Sequence, residues 1–252
     1  MRVLWTDYRN PVSRKRRGFV FEEEIMKWTN KILGFICLSL LTLCTATPVL
    51  TVKSSDMMQA NHSALLVMDV QNGIVQRFAE KPEVMVPFQR AVSAARRAGI
   101  PVIFVRVAFR KGYPEVSAKN KMFSAITKFG SMTISDASTQ IHYSVAPLPD
   151  EPVVTKLRVS AFAGSDLEII LRARKIDTLI LTGIATSGVV LSTLREAADK
   201  DYGLVVLSDA CLDADPEVHR VLVEKLFPRQ ADVLTVSEWA DTLLKQGGSP
   251  KS

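Results

Sequence analysis

Short apolar runs recur along the chain, and most of them end on a polar or small residue. Ala64–Asp69 (ALLVMD) reads as a buried strand closing on a carboxylate. Pro101–Val107 (PVIFVRV) and Pro152–Thr155, the latter ending at Lys156, read the same way. So do Leu179–Leu181, Leu204–Leu207 (ending at Ser208-Asp209) and Ala231–Thr235. Between these runs the period changes from continuous to helical. Glu83–Ala98 places Val84, Val92, Ala95 and Ala98 on one side, with Pro87 near its start, where a missing N–H is best tolerated, and Gly99 as its stop. Ser165–Arg174 carries a stripe of Leu167, Ile170 and Leu171, and the helix leading to Ala198 repeats Val190, Leu194, Ala197 and Ala198. Asp215-Pro216-Glu217 is a helix start, an N-cap followed by proline in the first turn, for a helix reaching about Phe227. A last helix is expected from a Ser237 cap through Leu244.

Strands that are continuous apolar runs, alternating with helices, predict an α/β fold: a mainly parallel sheet of about six strands, buried on both faces as a three-layer sandwich. Ligands bind such sheets beyond the carboxyl ends of the strands, near the switch in strand order. Asp69, Lys156 and the small-residue turn Thr182–Ser187 all fall at predicted strand ends, so they can converge although far apart in sequence. A helix beginning near Ser187 would aim unpaired N–H groups at that place, a cradle for an anion or oxyanion. The long stretch Ala108–Asp150, interrupted by Gly112, Pro114, Gly130, Pro147 and Pro149, is of the length that forms a lid or carries short elements of its own.

The chain has 252 residues, 47% hydrophobic and 23% charged. The first sixty residues read as extension, leader and linker, 61–246 as one domain, and 247–252 as a tail. The domain, of about 190 residues, is long enough for a sizeable core. The formal charge of +6 draws on Arg14, Lys15, Arg16 and Arg17, and the other basic residues are interspersed with acids, which argues against a nucleic-acid partner. From Met26, MKWTNKILGFICLSLLTLCTATP has the basic start, apolar middle and small-residue end of a secretory signal. Cleavage after Ala46 would export the protein. If uncleaved, the apolar run Ile32–Val52 approaches the ~20 residues that span a bilayer and would anchor it. The polar, basic residues Met1–Ile25 fit neither part and are consistent with a true start at Met26. Cys37 and Cys44 lie in the leader, leaving Cys211 alone in the domain, and His62, His142 and His219 show no ligand-like spacing. No disulfide, metal or cofactor is expected.

Three unlinked segments then carry a resemblance. ALLVMDVQN, VVTKLRVSAF and LILTGIATSGVVLSTLREAADKDY, the last followed by VVLSDACLDADPEVH, resemble the isochorismatase-like cysteine hydrolases from Ala64 to about Trp239. The resemblance implies a three-layer α/β/α sandwich and a triad of Asp, Lys and Cys. In that triad the thiol attacks a carbonyl or nitrile-like carbon, Asp takes its proton and Lys keeps the thiolate reactive. It also implies a cis peptide before the nucleophile helix, here Ile184–Ala185, that orients turn amides as an oxyanion hole. Carried over residue by residue, the acid is Asp69 and the cation Lys156, and the nucleophile position is Val189: the cysteine is absent. Cys211 follows a different strand and matches a position read as structural. The pocket residues implied are Gln71, Ile184, Ala185, Thr186, Ser187, Gly188 and Val189. Ser187 reads first as a helix N-cap, and second, beside an Asp69-activated water, as the attacking group of an amide hydrolase; His219 reads as a packing or capping histidine. The Asp-x-His metal motif of nicotinamidase-like members is missing. Members that cleave vinyl ethers also lack the thiol and use the Asp as general acid, with glycine where Val189 stands. The expected function is therefore a small-molecule hydrolase of vinyl-ether, amide or carbamoyl bonds using Asp69 and Lys156. The alternative is an inactive binding or scaffold protein on the same fold. Homo-oligomerisation is implied by resemblance alone.

Overall fold

The computed structural model describes residues 62–78 and 81–247. The leader, the linker and the last residues, with the readings placed on them, lie outside this range. Six strands form one all-parallel sheet in the order β3-β2-β1-β4-β5-β6. They are β1 (Ser63–Met68), β2 (Val102–Val107), β3 (Val153–Lys156), β4 (Thr178–Ile184), β5 (Gly203–Leu212) and β6 (Asp232–Leu234). Side chains alternate between the sheet's two faces, and the two main cores divide accordingly. Leu65, Val67, Phe104, Ile180 and Val205 face one layer, and Ala64, Leu66, Met68, Ile103 and Leu181 the other.

On the first face pack α1 (Asn72–Phe78), α2 (Val86–Arg97) and α6 (Val236–Gly247), through Val75, Phe88, Val92 and the fully buried Trp239. On the second pack α3 (Leu167–Ala173), α4 (Leu191–Asp199) and the helical run opened by α5 (Pro216–Val221), through Leu167, Leu171, Leu194 and Phe227. The expected three-layer sandwich is what forms.

Several local details differ from the sequence reading. Helix α1 was not foreseen: its seven residues bury only Val75, so no apolar stripe announces it. Strand β4 runs on to Ile184, so Thr182 and Gly183 belong to the sheet and not to the turn. Gly183 lies against β1 so closely that a Cβ there would sit 2.6 Å from the Met68 carbonyl oxygen, and Thr182 Oγ1 donates to Leu66 O at 2.9 Å. Strand β5 is longer than Leu204–Leu207, continuing past a shift in its register with β4 to pair Cys211 with Gly183. Helix α6 is capped by Thr235 instead of Ser237: Glu238 N–H donates to Thr235 Oγ1 at 3.2 Å, and Glu238 Oε2 accepts from Thr235 N–H at 2.7 Å. That reciprocal pair is the capping box T-x-x-E. Asp215 caps α5 as expected, accepting from Glu217 N at 2.9 Å and Val218 N at 3.3 Å.

Candidate active site

The switch in strand order falls between β1 and β4, where the chain leaves the sheet in opposite directions. Asp69 follows β1 directly, in a left-handed backbone conformation (φ 57°), and its N–H donates to Val105 O at 2.8 Å on β2. An Asp tolerates that conformation better than a branched residue would. Lys156 ends β3, two strands away, in register with Val107. Its side chain nevertheless reaches Asp69: Nζ lies 2.9 Å from Oδ2. The other two ammonium protons go to the carbonyls of Arg158 (2.9 Å) and Val159 (3.1 Å). Both side chains are buried, Lys156 to 2% exposure and Asp69 to 6%. Asp69 Oδ1 is buried with no hydrogen-bond partner among the described residues. Burial pushes the Asp69 carboxyl above its ordinary value, and the Lys156 ammonium opposes part of that rise.

Both residues line a cavity of about 560 Å³ at this end of the sheet, within the size range of small-molecule sites. Ile184, Ala185, Gly188 and Val189 line it from the turn after β4, and the Ile184–Ala185 peptide is cis. Val189 is buried and packs with Val190 and Leu194 in the second core, filling space at the cavity wall.

Three of the residues expected in the pocket are engaged elsewhere. Gln71 is completely buried and staples β2 to the long connection: its amide nitrogen donates to Val107 O and Thr139 O, both at 3.0 Å, and its oxygen accepts Val107 N–H at 2.8 Å. Thr186 is equally buried, with Oγ1 2.8 Å from His219 Nδ1. Ser187 is exposed, off the cavity lining, and its N–H donates to Asp213 Oδ2 at 2.7 Å. It is not an N-cap, because the turn winds as a wide helix over Thr186–Val190 whose N-cap is Ala185, without a side-chain cap. The N–H groups of Gly188 and Val190 both turn back to Ala185 O. The cradle expected of this turn is therefore narrower than the sequence suggests, since the amides of Ser187, Gly188 and Val190 are taken. Cys211 cannot stand in for a missing thiol. It is buried against Gly183, and burial pushes its thiol up to about 12.

The structure adds lining residues that no spacing revealed. The connection between β2 and β3 folds over the cavity with Met122, Phe123, Ile126 and Met132, and α1 contributes Ile74 and Arg77. The Arg158 guanidinium sits 5.6 Å from the centre of the Phe123 ring and donates to Glu115 O at 2.8 Å, fixing this cover beside the Lys156 strand end. The length of the connection signalled a lid or short elements of its own. It carries short helical turns at Phe123–Ala125, Ile126–Phe129, Ala137–Thr139 and Tyr143–Val145, but the sequence did not show which of its apolar side chains face inward.

This chain matches the Isochorismatase domain over residues 63–238. It belongs to the isochorismatase family. An uncharacterized isochorismatase family protein, YecD of Escherichia coli O157:H7, is 32% identical over 191 residues, 74% of this chain and 98% of that one. Ureidoacrylate amidohydrolase RutB of Stutzerimonas stutzeri (strain A1501) is 34% identical over 183 residues, 64% of this chain and 73% of the relative. Among solved structures, a cysteine hydrolase from Pseudomonas syringae pv. phaseolicola 1448A superposes with a TM-score of 0.69. At 23% identity, covering 75% of this chain and 95% of the other, that likeness speaks for the isochorismatase-type fold alone.

Proposed function

We propose that the protein is an isochorismatase-family hydrolase that cleaves a C–N or C–O bond of a small molecule through Asp69 and Lys156, with no covalent thiol step. The observation that carries this is the buried Asp69–Lys156 pair at 2.9 Å, with Asp69 Oδ1 left unpartnered on a residue that lines the cavity. A buried acceptor without a partner costs stability. A substrate N–H or O–H, or an attacking water, supplies the missing partner. A fully hydrogen-bonded Lys156 holds the carboxylate in place and offsets its charge.

With Val189 where a thiol would attack, the proton moved by Asp69 belongs to water or to the substrate. On an amide or carbamoyl group, Asp69 takes a proton from water and the hydroxide oxygen bonds to the carbonyl carbon. The proton then passes to the leaving nitrogen as the C–N bond breaks. On a vinyl ether, protonated Asp69 gives its proton to the enol carbon, water adds to the resulting cation and returns a proton to Asp69, and the C–O bond breaks as the new hydroxyl's proton passes to the leaving oxygen. The raised pKa of Asp69 favours its acting as donor, and the amidohydrolase among the relatives favours the C–N version. A comparison of wild type with Asp69→Asn against vinyl-ether, amide and carbamoyl substrates tests the reading. Turnover in the wild type, falling at least about a hundredfold in the variant, is expected of a general acid–base group.

A second reading, small-molecule binding without turnover, is favoured by Val189 itself, an apolar side chain packed into the core at the nucleophile position. It leads if the wild type turns over nothing in that screen and still retains a small molecule in native mass spectrometry. We also propose that Met26–Ala46 is an export signal. A mature N-terminus at Thr47 supports this, and a peptide beginning at Arg2 overturns it.

A further inference from the structure

Among the described residues, three charged side chains line the cavity, Asp69, Lys156 and Arg77. The first two neutralise each other at 2.9 Å. Arg77 is exposed in the last turn of α1 and forms no ion pair with any described residue. The walls between are largely apolar, with Ile74, Phe78, Met122, Phe123 and Met132. An uncompensated cation above low-dielectric walls focuses its field into the cavity.

We propose that Arg77 is the subsite for an anionic group of the ligand, a carboxylate foremost, which makes the substrate class small organic acids with an apolar body. This rests on the reading of Asp69 and Lys156 as the reacting end of the cavity. The guanidinium presents a planar fork of donors that fits a carboxylate with two parallel hydrogen bonds. Its position in the helix sets the distance. At about 1.5 Å per residue, Arg77 stands roughly 8 Å along the axis from Asn72, where α1 begins just after Asp69. The acid group therefore binds at the end away from the bond to be cleaved. A lone cation in a helix's last turn also suits the helix dipole, but that role acts on stability and is indifferent to whether a ligand is charged.

The test is equilibrium binding by calorimetry of acids paired with their neutral amides: 3-phenylpropanoate with 3-phenylpropanamide, and N-carbamoylglycine with N-carbamoylglycinamide. The wild type is expected to bind an acid at least about tenfold more tightly than its amide, with a preference that shrinks as salt screens the charge. Arg77→Gln should abolish the preference in a protein that still melts cooperatively, and Arg77→Lys should keep part of it. Equal binding of acid and amide by the wild type, absence of binding across the panel, or a preference that survives Arg77→Gln each overturns the proposal. The catalytic reading fails separately. Acids bound through Arg77 without any turnover would overturn the hydrolase and leave this subsite standing. Hydrolysis of neutral substrates with no preference for acids would do the reverse.

Discussion

Lys156 has all three of its protons committed: one to Asp69 and two to main-chain carbonyls. Such an arrangement is costly to break from one side, because removing one partner strands the other as an uncompensated buried charge. Lys156→Met is expected to lower stability by about 3–5 kcal/mol, and adding Asp69→Asn should recover most of it, measured by chemical denaturation at neutral pH. The pair also sets a pH dependence. The folded pKa of Asp69 is raised, so its contribution is fully present below the ordinary value of 3.8 and is lost as pH rises through the folded value. Melting temperatures taken across that window should show wild type losing ground, with rising pH, to the doubly substituted protein. Val189 offers the complementary experiment. Val189→Cys puts a thiol on the cavity wall shared with Asp69 and Lys156, where a small reagent can enter from solution and the Asp69 carboxylate can take the thiol proton. It should react with iodoacetamide at neutral pH at least about a hundredfold faster than buried Cys211, as peptide mapping would report.

At the scale of elements, the strands were legible because a parallel sheet buried on both faces demands continuous apolar runs, and this chain supplies them. What the runs do not encode is where a strand stops. Strand β4 continues through Thr182 and Gly183 because β1 is close enough there for only glycine to fit. Gly183→Ala should therefore cost about 3 kcal/mol in denaturant titrations, the upper end of overpacking penalties. Gly188→Ala, whose Cβ would meet only Ala185 Cβ at an ordinary 3.8 Å, should leave stability within about 0.5 kcal/mol. Helix α1 stayed hidden for the opposite reason: it buries one apolar residue, and its exposed Gln76 and Arg77 stand at the cavity, where no packing demands an apolar side chain. Helix α6 shows a signal misassigned. Both Thr235 and Ser237 are cap formers, but only Thr235 has a glutamate three residues on to complete the reciprocal bonds.

Across the whole molecule the cavity is a joint product of strand ends and the connection between β2 and β3. That connection carries its own small core of Val107, Phe109 and Phe123, separate from the two that sandwich the sheet. It is tied down at its far end by Arg96, whose guanidinium grips Glu151 at 2.8 and 2.7 Å from α2. Because this core is independent, damage to it should stay local. Phe123→Ala is expected to cost about 3 kcal/mol, read as faster amide exchange over residues 109–145 with exchange in α2 and α4 unchanged.

The sequence by itself determined the order of the six strands and the sandwich they build, because burial on both faces leaves a continuous apolar mark on the strands, while helix α1, which buries only Val75, left none. It also supplied the candidate chemistry: a carboxylate, Asp69, and an ammonium, Lys156, at predicted strand ends. The tertiary structure alone decided which strand ends meet. Lys156 crosses a whole strand to reach Asp69, a contact that no local pattern records. It also sorted residues that look alike in sequence. Gln71 and Thr186 are bound into the scaffold, Ser187 faces away, and Arg77, from a helix without a stripe, reaches the cavity wall. Those assignments depend on side-chain direction and on partners distant in the chain, and both exist only once the sheet has formed.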